Sequence, residues 1–300
     1  MLIVHLMGGL GNQLFQIFMC ISTAIDLNTQ FFFPDKEQLC SKRHSYWNTF
    51  LSRLKPFLRS DSFIQHSING IVKEIKFEYV DYKSPKMLNE NILFYGYFQS
   101  YKYFQHNYET IYDLINVNLA KNNLVNKIAN INVLKNADEL EKCDDEFKFY
   151  DKTISMHFRL GDYKNIQDCH PLTTLAYYSN CLKYLNDNGV NLREYKILYF
   201  CESNFSDIMQ VSSMIDDLKV EYPYLEFVKQ FGLEDYEEML LMSLCKYNII
   251  ANSTFSWWGA YFNNRTDKIV MYPNVWFGPS LHDKNTVDLT PPSWVEISVV

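Results

Sequence analysis

The chain has 300 residues, 47% of them apolar and 21% charged. These are globular proportions, with length for one large domain or two ordinary ones, and they exclude a disordered chain, a collagen-like fibre and a coiled coil. With 28 basic against 35 acidic residues the net charge is −7, so the basic field that nucleic-acid binding needs is missing; an anionic small ligand would have to be met by one or two placed arginines and backbone amides.

Leu2-Ile3-Val4-His5-Leu6 reads as an opening strand, followed by Gly8-Gly9-Leu10-Gly11-Asn12-Gln13. Apolar residues at Leu14, Ile17, Phe18, Ile21 and Ile25 then lay one stripe along a helix, which puts the glycines in a strand-to-helix turn. A short strand is expected at 31–33, stopped by Pro34. Residues 35–90 show no clear order. A strand-like aromatic run at 91–98 precedes helical patterns over 102–140. The charge-dense stretch 139–151 marks the expected domain boundary, giving an amino-terminal lobe of 1–150 and a carboxyl-terminal lobe of 151–300. Strand-like runs at 153–158, 196–200, 225–228, 247–251 and 268–272 alternate with helical patterns at 174–187, 205–218, 234–246 and 255–264. That alternation predicts a parallel sheet covered on both faces, a Rossmann-like unit.

The seven cysteines form no C-x-x-C pair and are odd in number, which points to reduced, mostly buried thiols rather than a disulfide framework or a zinc site. The first Lys or Arg is Lys36, so the start is a poor signal peptide, and the apolar stretch 14–25 is broken by Gln16, Ser22 and Thr23 and too short to span a bilayer. The expected location is the cytoplasm, with peripheral membrane association left open.

In open α/β sheets ligands bind beyond the carboxyl ends of the strands, and three clusters fall there. Gly8 to Gln13 lacks the G-x-G-x-x-G spacing and any G-K-[ST], so it supports neither a dinucleotide nor a P-loop reading. What remains is a tight turn whose amides suit an anion or a sugar hydroxyl, or a plain turn. In His157-Phe158-Arg159-Leu160-Gly161-Asp162-Tyr163, His157 and Arg159 share one strand face. Arg159 falls at the strand's end, where its guanidinium can grip two phosphate oxygens, and Asp162 can orient it or reach a hydroxyl. An ordinary surface Arg–Asp pair fits the spacing equally. The third cluster, Asn252-Ser253-Thr254-Phe255-Ser256-Trp257-Trp258-Gly259, opens a helix. Its hydroxyls fit a helix cap or a phosphate site, and its tryptophans fit half core, half site wall. No two aspartates lie two positions apart, so the usual D-x-D bridge to a divalent ion on a nucleotide diphosphate is not evident.

Together the segments at 8–13, 157–163 and 252–261, with Glu238 to Cys245 leading into the last, resemble the landmarks of glycosyltransferase family 11, the α-1,2-fucosyltransferases. They run in family order from residue 1 to about 280; residues 35–150 resemble the family only loosely. The resemblance implies a GT-B-like α/β fold, two Rossmann-like lobes with a cleft between them. It implies an inverting transfer of L-fucose from GDP-β-L-fucose to the 2-hydroxyl of a terminal galactose, with no obligatory metal and no other cofactor. On that reading Arg159 and Asp162 are catalytic. His157, Gly161, Asn252, Ser253, Thr254, Phe255 and Ser256 would contact the donor, and Gly9, Gly11, Asn12 and Gln13 the donor or the glycan acceptor. Asp162 and His157 are the candidates for a base. Two other classes stay open: a transferase using another nucleotide sugar or linkage, and a non-catalytic nucleotide-sugar-binding protein.

Overall fold

The computed structural model describes residues 1–39, 43–84, 87, 89–135 and 150–300, with backbone only at 130–135. The chain forms two compact units: residues 1–120 with 283–291, and residues 121–282 with 292–300.

The first unit is built on a five-stranded, all-parallel sheet. Its strands are β1 (Leu2–Val4), β2 (Phe31–Pro34), β3 (Leu58–Arg59), β4 (Gly70–Lys73) and β5 (Ile92–Tyr95), in the order β3-β2-β1-β5-β4. β1 is central, and its Leu2, Ile3 and Val4 are buried, as expected for a strand covered on both faces. Helix α1 (Leu10–Asp26) follows it and is buried along almost its whole length, including Leu14, Ile17, Phe18 and Ile21 of the predicted stripe. Helix α2 (Asp61–Ser67) is capped by the Ser60 hydroxyl, and α3 (Tyr108–Ile115) ends on Asn116 in the left-handed conformation.

Helix α4 (Val117–Lys135) leads into the second unit. This unit holds six parallel strands: β6 (Thr153–His157), β7 (Lys196–Phe200), β8 (Glu226–Lys229), β9 (Tyr247–Ile249), β10 (Val270–Pro273) and β11 (Val295–Ile297). Between them run α5 (Leu175–Asp187), α6 (Phe205–Glu221), α7 (Asp235–Leu244) and α8 (Thr254–Tyr261). The sheet order is β11-β10-β9-β6-β7-β8. Numbered within the unit, that is 3-2-1-4-5-6, the doubly wound order whose switch point lies between its first and fourth strands, β6 and β9.

Five strands were expected here and six are found, because β11 has three residues, too few to show a period. β3, α2 and β4 explain why 35–90 had no readable rhythm: the pieces are two, seven and four residues long. The units also divide elsewhere than at 150/151. Lys121 donates to the Phe262 carbonyl at 2.6 Å and Lys127 to Glu237, which ties α4 to the second unit. Asp288 accepts from the Tyr79 amide and from Lys102, which ties 283–291 to the first. Most of the charge-dense stretch, 139–149, lies outside the described residues, as do Cys40 and Cys143; Cys20, Cys169, Cys181, Cys201 and Cys245 are free thiols.

Candidate functional site

Two of the three sequence clusters meet at the switch point of the second sheet. β6 and β9 are hydrogen-bonded neighbours, with Met156 opposite Ile249, so residues 157–163 and 252–256 leave the same sheet edge side by side. The Tyr163 hydroxyl donates to the Asn252 carbonyl at 3.3 Å, and the His157 and Phe255 rings lie 5.5 Å apart. Two tyrosines of α5 brace this edge from below: Tyr178 donates to the His157 carbonyl at 2.9 Å and Tyr177 to the Ile250 carbonyl at 2.5 Å. Both are fully buried, so the strand ends are held by core residues rather than by solvent-exposed ones.

Arg159 carries the positive charge at this edge. Its Nη2 donates to Asp162 Oδ1 and its Nη1 to Glu202 Oε1, each at 2.5 Å, and the guanidinium stands 4.8 Å from the Tyr163 ring centre. The arginine side chain is 20% exposed, against 53% for Asp162 and 43% for Glu202. Both carboxylates thus face water more than the guanidinium does. Each carboxylate takes one arm of the fork, so a phosphate gripped by both arms would have to displace both. Glu202, just past β7, was not singled out from sequence; no motif marks it, and only the pairing of β7 with β6 brings it to Arg159.

The turn after Arg159 is fixed from beneath. Gly161 takes φ +46°, in the left-handed region. Its amide donates to Asp207 at 2.8 Å, and Asp207 also pairs with Lys164 at 2.5 Å. Burial pushes the Asp207 carboxyl up, but the bonds from Lys164, Asn204 and Gly161 outweigh it and hold it below its ordinary range.

His157 does not reach the surface. Burial first, then the Arg159 charge, lowers its ring to a pKa of about 3. It is neutral at any working pH and a weak base, although its buried Nδ1 has no hydrogen-bond partner among the described residues. Asn252 is also buried: its amide clamps the Pro171 and Trp276 carbonyls at 2.9 and 3.2 Å, while its Oδ1 has no partner among the described residues. Ser253 caps α8 by accepting from the Phe255 amide at 3.4 Å, and Thr254 is the helix's first residue. Ser256 is buried, its hydroxyl 3.4 Å from the Ser253 carbonyl. Trp257 and Trp258, expected as half site wall, are both fully buried; Trp257 stacks on Tyr261 at 4.5 Å, so they are core.

In the first unit the glycine cluster is arranged differently from expectation. Gly11, Asn12 and Gln13 belong to the first turn of α1, with Gly9 as its cap. The residue that needs to be glycine for its backbone is Gly8, at φ +81°, where a Cβ would also stand 2.4 Å from the Asn12 amide nitrogen. Gln13 is fully buried, its Nε2 donating to the Gly8 and His44 carbonyls at 3.1 and 2.9 Å. Gln16 exchanges two bonds with the Met7 backbone. Asn12 accepts from Gln99 at 2.9 Å, which links the first turn of α1 to the segment after β5. Among the described residues no three His, Cys, Asp or Glu side chains converge as a metal site, and no helix is long and apolar enough to cross a membrane.

In doubly wound parallel sheets ligands bind in the crevice at the switch point, and Arg159 stands there. No protein-family model matches the sequence. The chain is 28% identical over 318 residues to an α-1,2-colitosyltransferase of Escherichia coli, a match covering 98% of each protein. It is 32% identical over 177 residues to the O-antigen biosynthesis glycosyltransferase WbnK of Escherichia coli, covering 54% of this chain and 52% of that one. Among solved structures, fucosyltransferase NodZ from Bradyrhizobium aligns with a TM-score of 0.43 at 11% identity, over 86% of this chain and 92% of that one. The Escherichia coli heptosyltransferase WaaC aligns with a TM-score of 0.41 at 9% identity, over 99% and 90%.

Proposed function

We propose that this protein is an inverting glycosyltransferase that moves L-fucose from GDP-β-L-fucose to the 2-hydroxyl of a terminal galactose on a glycan. The observation that carries the reading is Arg159, its two arms held by the partly exposed carboxylates of Asp162 and Glu202, at the switch point of the second sheet beside the residues that open α8. Likeness along the whole chain to a protein named as an α-1,2-colitosyltransferase supports the reaction class, a 1,2 sugar transfer.

In the proposed reaction the bond from fucose C1 to the β-phosphate oxygen breaks, and its electron pair stays on the phosphate. The galactose O2 bonds to C1 from the opposite face and loses its proton. Arg159 binds the leaving phosphate more tightly as charge grows there, which lowers the barrier. The Ser253 hydroxyl and the first amides of α8 assist from the neighbouring strand. Asp162 is the better placed base of the two candidates, because it is exposed while His157 is buried and weakly basic. Arginine and amides would neutralise the diphosphate without a metal, so full activity is expected in excess EDTA. The location proposed is cytoplasmic, with peripheral contact to a membrane when the acceptor is displayed on a lipid.

A second reading, transfer of a colitosyl group, is favoured by the name of the full-length relative. Purified protein offered fucosyl and colitosyl donors with galactose-terminated acceptors separates the two, the linkage being read by NMR of the product. GDP release that rises on adding acceptor supports a transferase. Nucleotide binding with no transfer to any acceptor would leave a non-catalytic binding protein instead.

A further inference from the structure

Glu202 lies two residues beyond β7, the second strand of the 3-2-1-4-5-6 sheet, and β7 pairs with β6. Its carboxylate hangs over the same edge as Arg159 and holds Nη1 at 2.5 Å. The backbone leaves room for it: a Cβ on Gly161 would stand 2.4 Å from Glu202 Oε1 and 2.6 Å from its carboxyl carbon. Asp162 holds the other arm of the fork from the same turn, three residues away.

Two carboxylates on one guanidinium leave that spot net negative. A diphosphate arriving there adds further negative charge, and at least one carboxylate must withdraw. Glu202 comes from another strand, is 43% exposed, and is free to swing. Once released, it needs hydrogen-bond donors. Where a sheet of this order binds a dinucleotide, the phosphates rest at the turn after the first strand and a carboxylate farther along the chain accepts from a ribose hydroxyl. This chain lacks the glycine fingerprint of those sheets, but Glu202 offers a carboxylate at the same sheet edge, beyond the second strand.

We infer that Glu202 yields Arg159 to the donor diphosphate and takes the ribose hydroxyls in exchange, making the site selective for ribonucleotides. The inference rests on the proposed donor reading, since it needs a nucleoside diphosphate on Arg159. It assigns Glu202 to the ribose and leaves the base to other residues.

The test is calorimetric titration of the wild type and Glu202→Ala with GDP, with 2′,3′-dideoxy-GDP and with inorganic pyrophosphate. The wild type should bind GDP about tenfold or more tightly than the dideoxy form, the worth of a hydrogen bond to a charged group. In Glu202→Ala the two nucleotides should bind alike. Pyrophosphate should bind the variant at least as tightly as the wild type, because its competitor for Arg159 is gone. That last result separates a ribose contact from a merely structural role, which would weaken all three ligands together. A melting temperature matching the wild type confirms that the variant is folded. GDP binding with no preference over the dideoxy form, or a preference that survives in Glu202→Ala, overturns the inference and leaves the nucleotide site standing. Failure of GDP, UDP, ADP and CDP alike to bind the wild type overturns both.

Discussion

Each unit of this molecule has a parallel sheet and a polar, glycine-containing turn after its first strand, but the two turns use their side chains in opposite ways. In the first unit the amides of Gln13 and Gln16 point inward and bond to the backbone of residues 7, 8 and 44. In the second, the partly exposed Arg159 is flanked by two partly exposed carboxylates, and the inward bonding is left to Asp207. Neutral amides fix a shape; exchangeable ion pairs leave a charge that a ligand can claim. On the proposed reading residues 159–162 meet the ligand's charge, while Gln13 and Gln16 hold the shape of their loop.

The largest effect should come from Arg159→Ala. Loss of the charge-assisted contact to the leaving group should cost about 3 kcal/mol of barrier, two decades or more in kcat/KM, with Tm little changed. Arg159→Lys should recover only part of it, because an ammonium lacks the planar fork. Next is Gly161→Ala. At φ +46° a side chain is strained by about 1–3 kcal/mol and pushes on Glu202, so kcat/KM should fall by about tenfold as the pair on Arg159 is disturbed. Gln13→Ala should behave in the contrary manner. It removes a fully buried side chain and its two hydrogen bonds to the Gly8 and His44 carbonyls, worth about 0.5–1.5 kcal/mol each, and activity should fall only in step with Tm. A Gln13 variant that keeps its Tm but loses turnover would erase the contrast.

The smallest effect is one of pH. The Asp207 carboxyl titrates below its ordinary value of 3.8 in the folded protein. The stability it contributes is full above that ordinary value and is lost as pH falls through the lower folded one. The amides of Gln13 and Gln16 do not titrate. Hydrogen exchange, corrected for intrinsic rates, should therefore show residues 160–165 losing protection in acid before residues 7–13. Equal loss in both turns would mean that Asp207 does not hold its turn.

The sequence made the second unit legible because its elements are long enough to show their period: β6, β7 and helices α5 to α8 fall close to the expected ranges. Alternation alone could not give the strand order, and so could not show that residues 157–163 and 252–256 are neighbours at a switch point. Nor could it reveal burial. His157 and Ser256 look polar and available in a motif, yet each lies in the core, and the tryptophans expected at the site wall are interior. Glu202 was invisible because it reaches Arg159 only through the pairing of β7 with β6. In the first unit the glycines were legible as a turn, but which of them bears the positive φ depends on where α1 begins; that residue is Gly8.

The most direct test of the account is GDP affinity by calorimetry in three proteins: wild type, Arg159→Ala and Asn12→Ala. Arg159→Ala should weaken binding by about tenfold or more, as expected for removal of a bidentate charged contact, while Asn12→Ala, whose side chain bonds Gln99, should leave it within about twofold. Unchanged affinity in Arg159→Ala, or an equal loss in Asn12→Ala, would contradict the assignment of the diphosphate to the second unit.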